Sequence, residues 1–411
     1  MKKLAAAALL LMLALCALTP AGAEMNKYSA MYMDSFDTVI KLIAYAESEE
    51  TFNAWSDTVH QTYLYLHKLF DTYNTYDDEG IVSVCALNQR AAQEPVEVDP
   101  ILFSLLTYCK NNYVSCQGQV NVAMGSVLSI WHEYREAGLD DPQHASVPPM
   151  ELLTAASDHS DIGDLILDEE AMTVYFADPE LKLDLGAVAK GYATEIVAQL
   201  LLSSDLTVDE EALTVYLANL NLKLDLNTVA RGNPESVAQL LLSGGMRSFI
   251  ISAGGNVRVG EPPQDGRKAW GIGIQDPDGN VLGVGDIVET LFLSGMSVVT
   301  SGDYQRYYVV DGECYHHLID PDTLTPPSYY RSVSIITENS GYADMLSTAA
   351  FLMPYDESRA FIDSLDGVEA IWLIKDENED KSEDKDEDEK LIVEMTEGAK
   401  AWAKSFGATS E

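Results

Sequence analysis

A tandem repeat in the middle of this 411-residue chain limits the folds that it can adopt. DEEAMTVY at 168–175 recurs as DEEALTVY at 209–216, and each copy continues through KLDL to VAQLLLS. The pattern of each copy predicts strand, strand, turn and helix. Two copies are too few for a solenoid, in which about three or more units must stack. We therefore predict a local duplication inside one domain, with copies at 168–208 and 209–247.

Strand and helix patterns alternate along the rest of the chain without a regular βαβ period. They predict a strand over 36–47, then a helix to about residue 70, and a second helix over 97–116. Beyond residue 247, short β-prone runs broken by Gly, Asp and Pro predict a strand-rich half. Helical spacing returns at 341–353, before two closing strands. The sequence therefore predicts an α+β fold in a single domain over 24–411.

The first 23 residues predict targeting rather than fold. Two lysines precede an unbroken apolar run over 4–18, and small residues at 21–23 end it, as in a cleaved secretory signal. The run is shorter than the ~20 residues that span a bilayer. Cys16 leaves a lipid anchor as an alternative, although the leucine before it favours simple cleavage. We expect an exported protein, in a periplasm or at the outer face of the cell membrane, without a stable membrane span.

The charge balance argues against two classes of function. The chain has 25 basic and 66 acidic side chains, which give a formal net charge of −41. A nucleic-acid-binding protein, or one held to anionic lipid by charge, needs a basic face instead. Ten acidic residues lie in the tract at 376–390, which predicts a solvated loop inserted between the two closing strands.

Six short segments carry the strongest functional signal. They are LDLGAVAKGYA (183–193), ISAGGN (251–256), IGIQDP (272–277), TSGDYQRYY (300–308), YHHLIDP (315–321) and ADMLSTA (343–349). In this order they resemble the FAD:protein FMN transferases, the ApbE-type flavin transferases, and the resemblance runs from about residue 28 to 405. It implies an enzyme that binds FAD and Mg²⁺. Such an enzyme attaches FMN through a phosphodiester to a threonine of an acceptor protein and releases AMP.

Asp344 and Thr348 are the candidate metal ligands. They are four residues apart in a predicted helix, so both side chains project from one face. A carboxylate and a hydroxyl are oxygen ligands that suit Mg²⁺. The resemblance implies that this pair holds the metal together with a main-chain oxygen near Ala187. The alternative from the residues alone is that Asp344 caps the helix and Thr348 packs against it.

The candidate contacts to FAD lie in turns. Lys190 follows a glycine-containing turn at a helix start, where a cation and backbone amides suit a pyrophosphate. Two glycine-containing turns permit the backbone to approach a ligand closely, although ordinary strand ends use the same residues. The predicted contacts are Tyr73, Lys190, Gly254, Gly255, Asn256, Ser301, Gly302 and Asp303.

Two adjacent histidines are the candidates for a general base. A neutral imidazole can accept the proton of a threonine hydroxyl at pH 7. On a strand, His316 and His317 point to opposite faces, so one of them reaches the site. The resemblance points to His317. With Lys190 and Asp303 it completes the predicted catalytic set.

The duplication leaves open which copy occupies the site. The first copy has Gly186 and Lys190, whereas the second has Asn227 and Arg231 at the equivalent positions. Arginine does not simply replace a phosphate-binding lysine. Side-chain identity therefore favours the first copy. Chain continuity favours the second copy, because it runs directly into SFIISAGGN. If the second copy holds the site, activity would be weakened or lost.

Three hypotheses follow from the resemblance. The leading one is an exported, Mg²⁺-dependent FAD:protein FMN transferase. Its acceptor is a separate protein, because the chain lacks the acceptor motif Asp-Gly-x-Ser/Thr-Gly/Ser-Ala-Thr. The second is an FAD pyrophosphatase that forms FMN and AMP. The third is an FAD-binding protein whose duplication has cost it catalysis.

Overall fold

The computed structural model describes residues 25–203, 206–209, 211–229, 234–279, 287–375 and 391–411. The predicted signal, Cys16, Arg231 and the acidic tract at 376–390 lie outside these residues. Within them, no helix combines the length and the apolar character needed to cross a bilayer.

The described helices and strands mix along the whole chain. The helices are α1 (Glu49–Phe70), α2 (Val84–Arg90), α3 (Pro100–Asn112), α4 (Gly125–Asp140), α5 (Met150–Ser157), α6 (Ala189–Leu202), α7 (Leu226–Val229), α8 (Pro234–Leu242), α9 (Ser340–Leu352), α10 (Tyr355–Asp363) and α11 (Glu397–Trp402). The strands are β1 (Asn26–Ser35), β2 (Thr38–Ala46), β3 (Val96–Glu97), β4 (Leu165–Asp168), β5 (Thr173–Phe176), β6 (Leu206–Asp209), β7 (Thr214–Leu217), β8 (Leu222–Asp225), β9 (Phe249–Ala253), β10 (Asn256–Val259), β11 (Trp270–Gln275), β12 (Ile287–Leu293), β13 (Ser297–Gly302), β14 (Tyr307–Val310), β15 (Glu313–His316), β16 (Ser332–Thr337), β17 (Glu369–Lys375) and β18 (Leu391–Met395).

The main sheet separates two apolar layers. Its strand order is β1-β2-β9-β10-β13-β16-β17-β18, and neighbouring strands are antiparallel. Because side chains alternate along a strand, Ile40 and Leu42 of β2 pack with the helices, whereas Tyr45 lies on the opposite face against Trp270 of the β11–β12 hairpin. Helices cover one face, and the hairpin and α11 cover the other. The predicted α+β fold is confirmed.

Two predicted element boundaries differ from the structure. Phe36 and Asp37, expected inside a strand, have φ angles of 56° and 47° and form the turn between β1 and β2. Strand β1 was missed, although alternating burial of Tyr28 and Tyr32 suits a strand. Helix α3 is shorter than the predicted 97–116 at both ends: it begins at Pro100, where Asp99 accepts a hydrogen bond from a helix amide, and it ends at Asn112.

The two copies of the repeat build the same hairpin. Strands β4 and β5 pair as β6 and β7 do, with the same spacing across the turn. At the end of the first strand, Asp168 and Asp209 each accept two hydrogen bonds from backbone amides of the turn. Each turn also contains a residue at positive φ, Met172 at 51° and Leu213 at 51°. The duplication therefore extends from sequence to backbone conformation.

The copies diverge after the hairpin. In the first copy the chain runs beside the start of α4, and the Asp184 amide donates to the Val122 carbonyl (2.9 Å). In the second copy, β8 pairs with β7 and lies against α3. The chain then returns to the end of α6, where the Met246 amide donates to the Leu201 carbonyl (2.9 Å). The second copy therefore begins and ends beside the C-terminal end of α6.

Candidate active site

A cleft opens among α4, α6, α9, the turn between β9 and β10, and the β14–β15 hairpin. Most of the residues predicted from the sequence line it: Tyr73, Ala187, Lys190, Gly254, Asn256, Ser301, His317, Asp344 and Thr348. Gly255, Gly302 and Asp303 do not. The fold therefore brings candidates from six separate segments together in one cleft, while their chemical roles stay predictions.

The structure places Asp303 beside the cleft and not in it. Its carboxylate accepts hydrogen bonds from Arg331 Nε (3.1 and 2.9 Å), and its amide donates to the Arg331 carbonyl. Arg331 also pairs with Asp278 at 2.7 Å. This ion pair joins the end of β13 to the start of β16. Nothing in its position supports the catalytic role predicted for it.

The candidate metal ligands are buried side by side on α9. Asp344 is 5% exposed and Thr348 is 7% exposed. Asp344 Oδ2 accepts a hydrogen bond from the Gly191 amide (2.8 Å), which joins α9 to α6. Asn339 caps α9 through its side chain. The alternative in which Asp344 caps the helix is therefore wrong.

The oxygen atoms at this position fit a Mg²⁺ ion. Asn256 Nδ2 lies 3.4 Å from Asp344 Oδ1, and Asn256 Oδ1 is buried without a hydrogen-bond partner among the described residues. Thr348 and Ala187 line the same cleft, so the oxygen donors predicted as ligands lie in one cavity, and their type suits Mg²⁺. Burial raises the pKa of Asp344, and the nearby Lys190 cation opposes that rise. A bound cation would favour the ionised carboxylate further.

We expect Gly191→Ala to lower the free energy of unfolding by about 1–3 kcal/mol. A Cβ atom at residue 191 would lie less than 3.0 Å from Asp344 Cβ and from the Ser340 carbonyl oxygen, so α6 and α9 would have to separate. Urea unfolding measures the loss. Gly271→Ala is the matched control, because its Cβ would make only ordinary contacts. Equal stability of the two variants would contradict the close packing.

Lys190 and Asp184 come from the first copy of the repeat. Lys190 Nζ lies 3.5 Å from the Gly186 carbonyl, and Asp184 Oδ1 accepts a hydrogen bond from the Gly186 amide (2.8 Å). Burial raises the pKa of Asp184, and surrounding cations lower it. The second-copy residues Asp225 and Asn227 form the same turn bond (2.9 Å) but do not line the cleft. Among the described residues, the first copy alone supplies this wall.

The two histidines have different surroundings. His316 is buried, with Nε2 2.8 Å from the Pro327 carbonyl, and its Nδ1 accepts a hydrogen bond from the Leu318 amide. It therefore supports the chain locally. Both histidines line the cleft, so the expectation that only one of them reaches it is wrong, because strand β15 ends at His316. The buried Nδ1 of His317 has no hydrogen-bond partner among the described residues. Burial first, and then the positive charge of Arg306, hold the pKa of His317 well below its usual range.

Three basic residues of the cleft lining, His132, Arg135 and Arg306, were missed from the sequence. The ring of Tyr73 stacks on His132, with centroids 4.6 Å apart, and Arg135 Nη2 lies 2.7 Å from His132 Nδ1. Arg306 lines the same part of the cleft. His132 and Arg135 are three residues apart on α4, a spacing that places them on one face and was available as a signal. Arg306 lies inside the TSGDYQRYY segment (300–308), so that motif was an available signal for it.

Comparison with known proteins identifies the same family as the sequence motifs do. A family model described as the ApbE family matches residues 36–208 and 203–372. The chain belongs to the ApbE family. The two matches overlap at 203–208, immediately before the second copy of the repeat begins, as expected of a duplication inside one family domain.

Individual ApbE relatives cover most of the chain. It is 31% identical over 307 residues to an FAD:protein FMN transferase of Treponema pallidum (strain Nichols), across 72% of this chain and 71% of that protein. It is 26% identical over 315 residues to one of Klebsiella pneumoniae (strain 342), across 75% and 81%. The crystal structure of the ApbE protein from Thermotoga maritima superposes with a TM-score of 0.67 at 23% identity, covering 92% of this chain and 99% of that one. The flavin transferase ApbE from Vibrio cholerae gives 0.62 at 19%, with the same coverage. Both structures share the fold.

Proposed function

We propose that this protein is an exported, Mg²⁺-dependent FAD:protein FMN transferase that attaches FMN to a threonine of an acceptor protein. The observation that carries the proposal is the single cleft in which Lys190, Asp344, Thr348 and His317 meet. Family membership, and the FAD:protein FMN transferases among its relatives, support the assignment of this chemistry.

The residues of the cleft suit each part of the reaction. The threonine oxygen bonds to the phosphorus of the FMN half, the pyrophosphate P–O bond breaks, and AMP leaves with the bridging oxygen. His317 accepts the hydroxyl proton, because it lines the cleft and its Nδ1 has no hydrogen-bond partner among the described residues. Lys190 stabilises the negative charge of the pyrophosphate. Asp344 and Thr348 would hold Mg²⁺, which neutralises phosphate charge when bound.

Local positive charge has to oppose the field of the whole chain. With a net charge of −41, the protein repels an anion such as FAD at long range. Lys190, Arg135 and Arg306 all line the cleft. The carboxylates of Asp184 and Asp344 line the cleft as well, so the attraction for the dinucleotide rests on a small local excess of positive charge, to which Mg²⁺ would add.

An assay with FAD and Mg²⁺, with and without a threonine-bearing acceptor, separates the candidate reactions. Transfer predicts AMP release that depends on the acceptor, together with covalent FMN on the acceptor. AMP release that ignores the acceptor would favour the pyrophosphatase. FAD binding without AMP under any divalent metal would favour the binding protein.

Lys190→Ala is expected to lower flavin transfer by about a hundredfold, because it removes the cation nearest the predicted pyrophosphate. Arg231→Ala, its equivalent in the second copy, is the matched control and should stay close to wild type. Initial rates of AMP release measure both. A reversed order of the two rates would assign the site to the second copy.

The proposed export rests on the signal-like residues 1–23. Cleavage before Glu24 leaves a soluble protein outside the cytoplasm, whereas lipid attachment at Cys16 leaves one anchored to a membrane. The mass of the mature protein distinguishes the two.

A further inference from the structure

The β14–β15 hairpin forms one wall of the cleft. Its strands are joined by Asp311 and Gly312, whose φ angles of 51° and 91° are those of a two-residue type I′ turn. Just beyond the strands, the His317 amide donates to the Arg306 carbonyl (3.0 Å). The candidate base is thus attached to the open end of this hairpin.

The ladder of the hairpin leaves one edge of β14 without a partner. Antiparallel pairs alternate between hydrogen-bonded and non-hydrogen-bonded. Because Arg306 and His317 form a bonded pair, Tyr308 also bonds to β15, whereas the N–H and C=O groups of Tyr307 and Val309 point away from it. No strand of the described residues pairs with that edge.

The free edge continues into the cleft. A groove beside it is lined by Tyr307 and Val309 on one side and by Leu139 and Pro142 on the other. Six residues line both the groove and the cleft: Tyr73, His132, Arg135, Gln305, Arg306 and Tyr308. A polypeptide lying in the groove would therefore lead directly to the candidate active site.

The groove is held in shape by close packing of the hairpin on α4. A Cβ atom at Gly138 would lie less than 3.0 Å from the Tyr308 ring, so this glycine permits the contact. The Tyr308 hydroxyl donates to the Ser146 carbonyl (3.0 Å). These contacts hold the face of β14 that carries Tyr308 against the core. The side chains of Tyr307 and Val309 stay 43% and 47% exposed.

We propose that the acceptor polypeptide binds as an added strand along the free edge of β14 and so delivers its threonine to His317. This inference rests on the proposed transferase function. Strand residues rise about 3.3 Å each, so a threonine one or two residues beyond the position opposite Tyr307 reaches the level of Arg306 and His317. Main-chain hydrogen bonds provide affinity in this binding mode, and side-chain pockets provide selectivity.

Two proline variants test the free edge. Val309→Pro removes an amide that points into the groove, and Cys314→Pro removes the opposing amide, which points to the other edge of the same hairpin. The probe is a synthetic peptide that carries Asp-Gly-x-Ser-Gly-Ala-Thr. We expect the KM for the peptide to rise about tenfold in Val309→Pro and to stay unchanged in Cys314→Pro, with FAD binding unchanged in both. An equal KM in the two variants would overturn the added strand.

A second arm leaves the enzyme unaltered. Two peptides each carry one backbone N-methyl group, on adjacent residues before the threonine. Because ladder bonds alternate, only one of the two should lose transfer, and equal losses would also overturn the added strand. If the wild-type enzyme releases no AMP and transfers no flavin to the unmodified peptide, the proposed function itself fails.

Discussion

Replacing His317 with alanine is expected to lower the rate of flavin transfer by about a thousandfold while FAD still binds. The imidazole lines the cleft, and its Nδ1 has no hydrogen-bond partner among the described residues. The other two histidines in the described lining are engaged, His316 with backbone groups and His132 with Arg135. Single-turnover formation of flavinylated acceptor measures the chemical step. FAD fluorescence measures binding.

The pH dependence of transfer is a second readout for His317. Its pKa lies well below 6.5, so the imidazole stays neutral and able to accept a proton as the pH falls through that value. The acid limb of the wild-type rate should therefore lie below pH 6.5. The alanine variant should lose this limb. An alanine variant with a wild-type rate and pH profile would remove His317 from the mechanism.

Replacing Asp344 with asparagine is expected to weaken Mg²⁺ binding by about a hundredfold or more, with a matching loss of transfer. The amide oxygen of asparagine can still accept the hydrogen bond from the Gly191 amide, so the contact between α6 and α9 survives while the anionic ligand is lost. Calorimetric titration with Mg²⁺ measures the loss without any turnover. The rise of the melting temperature with Mg²⁺ is a second measure.

Protonation offers an independent test of the same ligand. Because burial raises the pKa of Asp344, the carboxyl takes up its proton at a higher pH than an ordinary aspartate as the solution is acidified. Mg²⁺ affinity of the wild type should fall through that range, and Asp344→Asn should not show the fall. Thr348→Ser keeps the hydroxyl and should bind Mg²⁺ nearly as the wild type does. Unchanged Mg²⁺ affinity in Asp344→Asn would exclude this carboxylate as a ligand.

Local periodicity predicted the parts of the site that lie within one element. The spacing of Asp344 and Thr348 requires only a helix, and α9 provides it. Predicting the position of Lys190 required only a turn followed by a helix, and α6 is that helix. The same holds for the repeated hairpin, whose turn bonds all lie within a few residues. Short-range rules suffice where both partners lie in one segment.

Contacts between distant segments could not be predicted in this way. The pairing of Asp303 with Arg331 spans 28 residues, and it removed a predicted site residue from the cleft. Arg306 and Arg135 meet the candidate base only because the hairpin docks on α4. Motifs place residues along the chain. Which of these residues line the same cavity depends on how the distant segments pack in the folded protein.

The two insertions share a property that is useful for engineering. The second copy enters beside Ser203 and leaves beside Gly245, whose Cβ position would touch Ser203. The acidic tract begins and ends at Lys375 and Leu391, which are direct partners in the β17–β18 ladder. Extra sequence at either point enters and exits side by side, so it places little demand on the scaffold. We expect these positions to accept a fluorescent reporter or an affinity handle, because none of the four residues lines the candidate active-site cleft.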